Sequence, residues 1–147
     1  MQHIKFIKIN LVNDTLAYIL GGTSQFFAFH NGIYDSLYIH NGVKDWDVDS
    51  NENLWIAADT ELIHYYNGVT TIYNSTNTPL GSDKFYHVKI GTDGHIWTAG
   101  QSENLLEFDG TDWQVHSIPN SCVSVENFTL DKQNNPLVAI INSYPNL

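Results

Sequence analysis

An all-β fold, a β-propeller segment of about 3.5 four-stranded antiparallel blades, is predicted by three features of this sequence. The stretch Asp49-Ser50-Asn51-Glu52-Asn53-Leu54-Trp55-Ile56-Ala57-Ala58 recurs as Gly91-Thr92-Asp93-Gly94-His95-Ile96-Trp97-Thr98-Ala99-Gly100, which sets Trp55 and Trp97 42 positions apart. Asn-Gly or Asp-Gly pairs at 31–32, 67–68 and 109–110 sit between apolar runs. No stretch keeps a 3.6-residue apolar period over three turns, so helices are not expected.

The middle of the chain carries the pattern best. Strands are expected at Lys44 to Val48, Leu54 to Ala58, Glu61 to Tyr66 and Val69 to Tyr73, then at Tyr86 to Ile90, Ile96 to Ala99, Asn104 to Phe108 and Trp113 to Ser117. Leu62-Ile63-His64-Tyr65-Tyr66-Asn67-Gly68 aligns at the same offset with Asn104-Leu105-Leu106-Glu107-Phe108-Asp109-Gly110, and Phe26 to Gly32 is the counterpart in the first unit. Asn-Gly and Asp-Gly accept the positive φ angles of a type I′ turn, so each pair is read as a hairpin bend. Asn13 to Ile19 is a divergent early copy of the tryptophan stretch with Ala17 in tryptophan's place, and Asp131 to Ile140 a worn later copy with Leu137 there. Trp46/Val48, Val88/Ile90 and Phe128/Leu130 alternate as inner strands do, with polar Asp47, Lys89 and Thr129 between them.

These units divide the chain into blades at about 4–42, 43–83 and 84–122 and a half blade at 123–147. Sheets stacked between neighbours bury both faces, which accounts for the poor alternation of Leu62 to Tyr66. A β-sandwich needs no fixed internal period, so the Trp55/Trp97 spacing counts against it. Propellers close with about four to eight blades. The expectation is therefore a fragment of a larger propeller, completed by the remaining blades of its parent protein or by self-association at the unpaired edge.

Sixteen acidic residues against six basic ones give a net charge of −10, and every basic residue is a lysine. Nucleic-acid binding needs a positive surface that displaces counterions, and anion recognition leans on the guanidinium fork, so neither class is expected. A cationic, neutral or carbohydrate-like partner fits the field better. Cys122 is the only cysteine, which excludes an intrachain disulfide and a multi-cysteine zinc site. No apolar run is long enough for direct membrane insertion, and the opening residues, with Lys5 inside the apolar stretch, are unlike a signal peptide.

The arrangement resembles the two-component regulator propeller repeat. The residues carrying the likeness are Asp49, Asn53, Leu54, Trp55, Ile56 and Asn67-Gly68, then Asp93-Gly94, Ile96, Trp97 and Asp109-Gly110. Ala57-Ala58 and Ala99-Gly100 stand where that family has Gly-Thr. The resemblance implies a sensor region joined to signalling modules, extracytoplasmic in the parent protein. Streptogramin B lyase has similar repeats and is the nearest enzyme, but no local motif pins one of its functional positions onto a histidine of this chain.

Catalytic residues are not expected. The seven histidines form no H-x-H or H-x-x-x-H pair, and no Gly-x-Ser-x-Gly elbow appears. Metal ligands and cofactors are likewise not expected: the run Asp47 to Asn53 begins like a calcium loop but has Glu52 where glycine bends such a loop and Ala58 where the bidentate glutamate belongs. Trp55 and Trp97, repeating on second strands, are expected to pack between blades rather than to stack on a ligand. By analogy of fold, the ligand-binding rim is expected at Asp59, Thr60, Glu61, Gln101, Ser102 and Glu103, with Thr78 to Asp83 beside them. The function these features suggest is a non-catalytic propeller of a two-component sensor that binds a small molecule, a glycan or a protein. A lyase-like enzyme and a structural or adhesive propeller are the alternatives.

Overall fold

The structure, a computed structural model, describes residues 6–12, 15–21, 26–37, 42–79, 84–101, 104–118 and 122–142. Among them are fourteen strands and no helix. Strands β1 (Phe6–Leu11), β2 (Leu16–Gly21), β3 (Phe26–His30) and β4 (Ile33–Leu37) form the first sheet. The second contains β5 (Val43–Val48), β6 (Leu54–Ala58), β7 (Glu61–Tyr66) and β8 (Val69–Tyr73). The third contains β9 (Phe85–Ile90), β10 (Ile96–Gly100), β11 (Asn104–Phe108) and β12 (Trp113–Ser117), and β13 (Cys122–Leu130) pairs with β14 (Pro136–Asn142). Every sheet is an antiparallel meander in chain order, the arrangement short turns allow.

One turn is built three times. Asp49 N donates to Asn53 O at 3.2 Å, Gly91 N to His95 O at 2.8 Å, and Asp131 N to Asn135 O at 2.9 Å. The fourth residue of each is left-handed, with φ of 66° at Glu52, 85° at Gly94 and 65° at Asn134. The Asp49 carboxylate accepts from the backbone N–H of Asn51 and Asn53 at 2.8 and 2.9 Å, and Asp131 repeats this with Gln133 and Asn135. The first-turn carboxylate of the calcium-like run, Asp49, is thus used to close a hairpin.

Two alignments shift by one residue. In the first sheet Val12 N donates to Leu16 O at 2.9 Å, so the turn closes on Leu16 and the counterpart of Trp55 is Tyr18 rather than Ala17. In the third sheet Ala99 pairs with Leu105, as Ala57 does with Leu62, so β11 is displaced by one from the alignment of Leu62 with Asn104. Such a step matters because it exchanges the two faces of a strand. In the third sheet its origin is the β10–β11 connection, since Ala99 and Leu105 enclose five residues where Ala57 and Leu62 enclose four. The bends after the third strands differ as well. Asn31-Gly32 and Asn67-Gly68 are two-residue bends with φ of 52° and 84°, and 49° and 77°, as a type I′ turn requires. At Asp109-Gly110 the expectation fails: Phe108 pairs with Trp113 across a longer loop, and Asp109 Oδ1 accepts from the N–H of Thr111 and of Asp112, each at 2.8 Å.

The sheets stack through three cores. Tyr18 and Phe26 meet Trp46, Leu54 and Ile56 between the first and second sheets. Trp55, Ala57 and Leu62 meet Phe85, Ile96, Leu106 and Phe108 between the second and third, and Trp97, Ala99 and Leu105 meet Val125 and Phe128 beyond. Leu54 and Ile56 therefore face one neighbour while Trp55 and Ala57 face the other, which is why β6 is buried along its whole length. Tyr18, Trp55 and Trp97 are 3%, 3% and 6% exposed at one repeat position, whereas Leu137, with no described sheet beyond it, is 58% exposed.

Candidate functional site

The expected rim residues ride on a tied-down turn. Ala58 pairs with Glu61 across the bend made by Asp59 and Thr60, and Asp59 has φ of 39°, which aspartate tolerates. The Asp59 carbonyl accepts from Phe85 N at 2.6 Å, and Gln101 N donates to Lys84 O at 3.3 Å. Lys84 and Phe85 thus hold the end of β6 and the end of β10 together, with Asp59 and Gln101 on either side. Thr60 and Gln101 are exposed, Asp59 half-buried. Glu61 Oε2 is buried and has no hydrogen-bond partner among the described residues. Ser102, Glu103 and residues 80–83 lie outside the described residues; Thr78 is described, its hydroxyl donating to Asn74 O at 2.9 Å.

Two polar groupings were not singled out from the sequence. On the inner strands, Asp45 Oδ2 accepts from Val88 N at 3.2 Å and from Lys89 Nζ at 2.9 Å, while Asp47 Oδ2 accepts from Ile90 N at 2.9 Å. Carboxylates of β5 thereby cap the backbone of β9 in the next sheet. A polar residue at every second inner-strand position was the available signal, but only stacking shows which neighbour each one meets. In the third sheet, Glu107 joins two histidines: His95 Nδ1 lies 2.7 Å from Oε1 and His116 Nε2 2.7 Å from Oε2. The ring of His116 lies 4.9 Å from that of Trp97. The second sheet has Asn53, Trp55, His64 and Tyr73 in the corresponding places. There His64 stacks on Trp55 at 4.3 Å, and its Nε2 lies 3.3 Å from Asn53 Oδ1.

These environments move the histidines in opposite directions. The hydrogen bond to Glu107 raises His95, helped by the nearby Asp93 and Asp109 charges. Burial lowers His64 and His87, against the pull of Asp49 on the first and of Asp45 on the second. A raised histidine contributes stability that is present below its unfolded value, about 6.5, and lost as pH rises through the folded value. A lowered one has the reverse sign, its contribution being lost as pH falls from about 6.5 through the folded value. His64→Phe, which keeps the stack on Trp55, is therefore expected to flatten the fall in melting temperature between about pH 7 and pH 5.5. An unchanged slope in thermal melts would contradict the assignment.

Among the described residues no group of three His, Cys, Asp or Glu side chains is placed to hold a metal ion. His95 from the turn before β10, Glu107 from β11 and His116 from β12 come together within one blade.

No protein-family model and no curated protein matches this chain. Solved structures do. A protein described as the extracellular domain of a hybrid two-component system of B. thetaiotaomicron superposes with a TM-score of 0.67 at 17% identity, covering 92% of this chain and 19% of its own. YCF48, solved bound to a D1 peptide, superposes with a TM-score of 0.65 at 12% identity, covering 90% of this chain and 46% of its own. This chain thus spans less than half the length of either. Both are β-propellers, and the likeness at these identities is one of fold. With its repeated four-stranded sheets and three inter-sheet cores, the chain has the fold of part of a β-propeller.

Proposed function

We propose that this chain is a non-catalytic binding propeller in the extracytoplasmic sensor region of a two-component signalling protein, taking a small molecule, a glycan or a protein at its rim. The observation that carries the reading is the pinned bend at Asp59-Thr60. A hydrogen bond from Phe85 N of the next sheet holds it, and Gln101 is held on the adjacent Lys84, so the side chains there are presented on a rigid support. Ser102 and Glu103 extend that rim in the proposal. The likeness to a sensor's extracellular domain supports the setting, and YCF48 is a protein of this fold seen with a peptide bound. The net charge of −10 favours a cationic or neutral partner over an anionic one.

Isothermal titration with a lysine-rich octapeptide, a glutamate-rich octapeptide and a neutral tetrasaccharide tests the reading. Saturable binding of the lysine-rich or the neutral probe is expected. It should weaken at least about tenfold in a Thr60→Lys, Gln101→Lys variant, since both positions are exposed and two long cationic side chains would crowd the rim and offset two of its three carboxylates. Undiminished binding by that variant would remove the site from the rim, and cleavage of the probe would replace the binding reading with an enzymatic one.

A further inference from the structure

At the opposite end of β6 from the rim, the β5–β6 and β9–β10 turns face each other across a cleft of about 620 Å³. Its walls include Asp47, Asp49, Ser50, Thr92, Asp93 and Gly94. The next joint along the stack shows what such a cleft holds. There Asn134, fourth residue of its turn, reaches back so that its side-chain oxygen accepts from Thr92 N at 2.8 Å and from Thr92 Oγ1 at 3.0 Å. By the closing hydrogen bonds of the turns, Ser50 corresponds to Thr92 and Gly94 to Asn134. Gly94 has no side chain to send, so the amide oxygen that fills one joint is missing from the other, and Ser50 is exposed.

We propose that this cleft binds a neutral amide group of a ligand, its carbonyl oxygen accepting from Ser50 N–H and Oγ–H as Asn134 does on Thr92. A carboxylate could offer the same acceptor, but Asp47, Asp49 and Asp93 line the cleft and repel it. Those carboxylates accept hydrogen bonds, so an amide N–H on the same ligand group complements them. The amide can be carried by an N-acetylated sugar or by the carboxamide of a peptide, and the test separates the two.

In a backbone-amide NMR titration, N-acetylglucosamine or a capped Ala-Asn-Ala peptide is expected to shift the Ser50 and Gly94 signals saturably; which of them does so identifies the carrier. Glucose and acetate are the controls and should not shift them. Gly94→Asn supplies the missing group from the chain itself. A Cβ at Gly94 meets no heavy atom within 4 Å, and its φ of 85° is near the 65° that Asn134 adopts, so the variant keeps the fold. It should shift the Ser50 signal without ligand and weaken probe binding at least about tenfold by competition. Ser50→Ala, which retains the N–H, should weaken binding several-fold. Equal responses to glucose or acetate, no saturable shift with either amide, or full binding by Gly94→Asn would each overturn the proposal.

Discussion

Trp55→Ala is expected to destabilise the protein by about 3–5 kcal/mol, the usual cost of emptying a buried aromatic site in a core that cannot collapse around it. Trp55 is held on several sides: His64 stacks on it at 4.3 Å, Tyr73 at 5.5 Å, and Phe108 of the next sheet meets it edge-on at 6.1 Å. The cavity would open in the apolar core at the joint between the second and third sheets. Trp97→Ala should behave alike, because Trp97 fills the same repeat position against Val125 and Phe128. Leu137→Ala should cost below about 0.5 kcal/mol, since that position is open to solvent. Urea denaturation of the three variants gives the comparison. Equal losses at Trp55 and Leu137 would mean that the repeat position does not face a neighbouring sheet.

Asp47→Ala and Asp45→Ala are each expected to cost about 1–3 kcal/mol, because each strands half-buried donors of the next inner strand. Asp47 is the acceptor for Ile90 N; Asp45 serves both Val88 N and Lys89 Nζ. The two should respond differently to a second change at Lys89. A double-mutant cycle of Asp45→Ala with Lys89→Met should show coupling, whereas Asp47→Ala with Lys89→Met should be close to additive. The pair of Asp45 and Lys89 is 14% and 26% exposed, so solvent screens it only in part and the coupling should exceed about 0.5 kcal/mol. Additivity in both cycles would remove the Asp45–Lys89 pair from the joint.

Much of the architecture was legible because turn chemistry and aromatic spacing are local signals. The recurrence around Trp55 and Trp97 places β6 and β10, and β7, β8, β11 and β12 run over the residues expected of them. The mistakes have one source, which is the length of a turn. Asp109-Gly110 looks like a two-residue bend in one dimension, yet the Asp109 carboxylate organises a longer loop, and β11 moves by one residue because the connection before it is one residue longer than the one before β7. In the first sheet the turn closes on Leu16, so Tyr18 inherits the place that spacing had assigned to Ala17. Neither slip changes the fold class, but each changes which side chain meets the neighbouring sheet.

Sites were less legible than strands. The rim at Asp59, Thr60, Glu61 and Gln101 came from an analogy of fold, and nothing in those residue types distinguishes them from solvated turn residues. His95, Glu107 and His116 form no sequence motif because their spacing depends on the pairing of β10, β11 and β12, with His95 in the turn before them. The cleft beside Ser50 was invisible for a similar reason: it follows from comparing what Gly94 and Asn134 send toward the preceding turn, a comparison that requires the turns to be stacked.

By itself the sequence determined the period, the strand-and-turn character and the exclusion of helices, because those follow from the φ preferences of Asn, Asp and Gly and from apolar spacing along a single strand. Tertiary structure alone decided which face of each strand meets which neighbour, which carboxylate caps the adjacent backbone, and which joint between turns is filled or open. Those outcomes depend on the positions of atoms about 42 residues apart in the chain, brought within hydrogen-bonding distance only when the sheets stack.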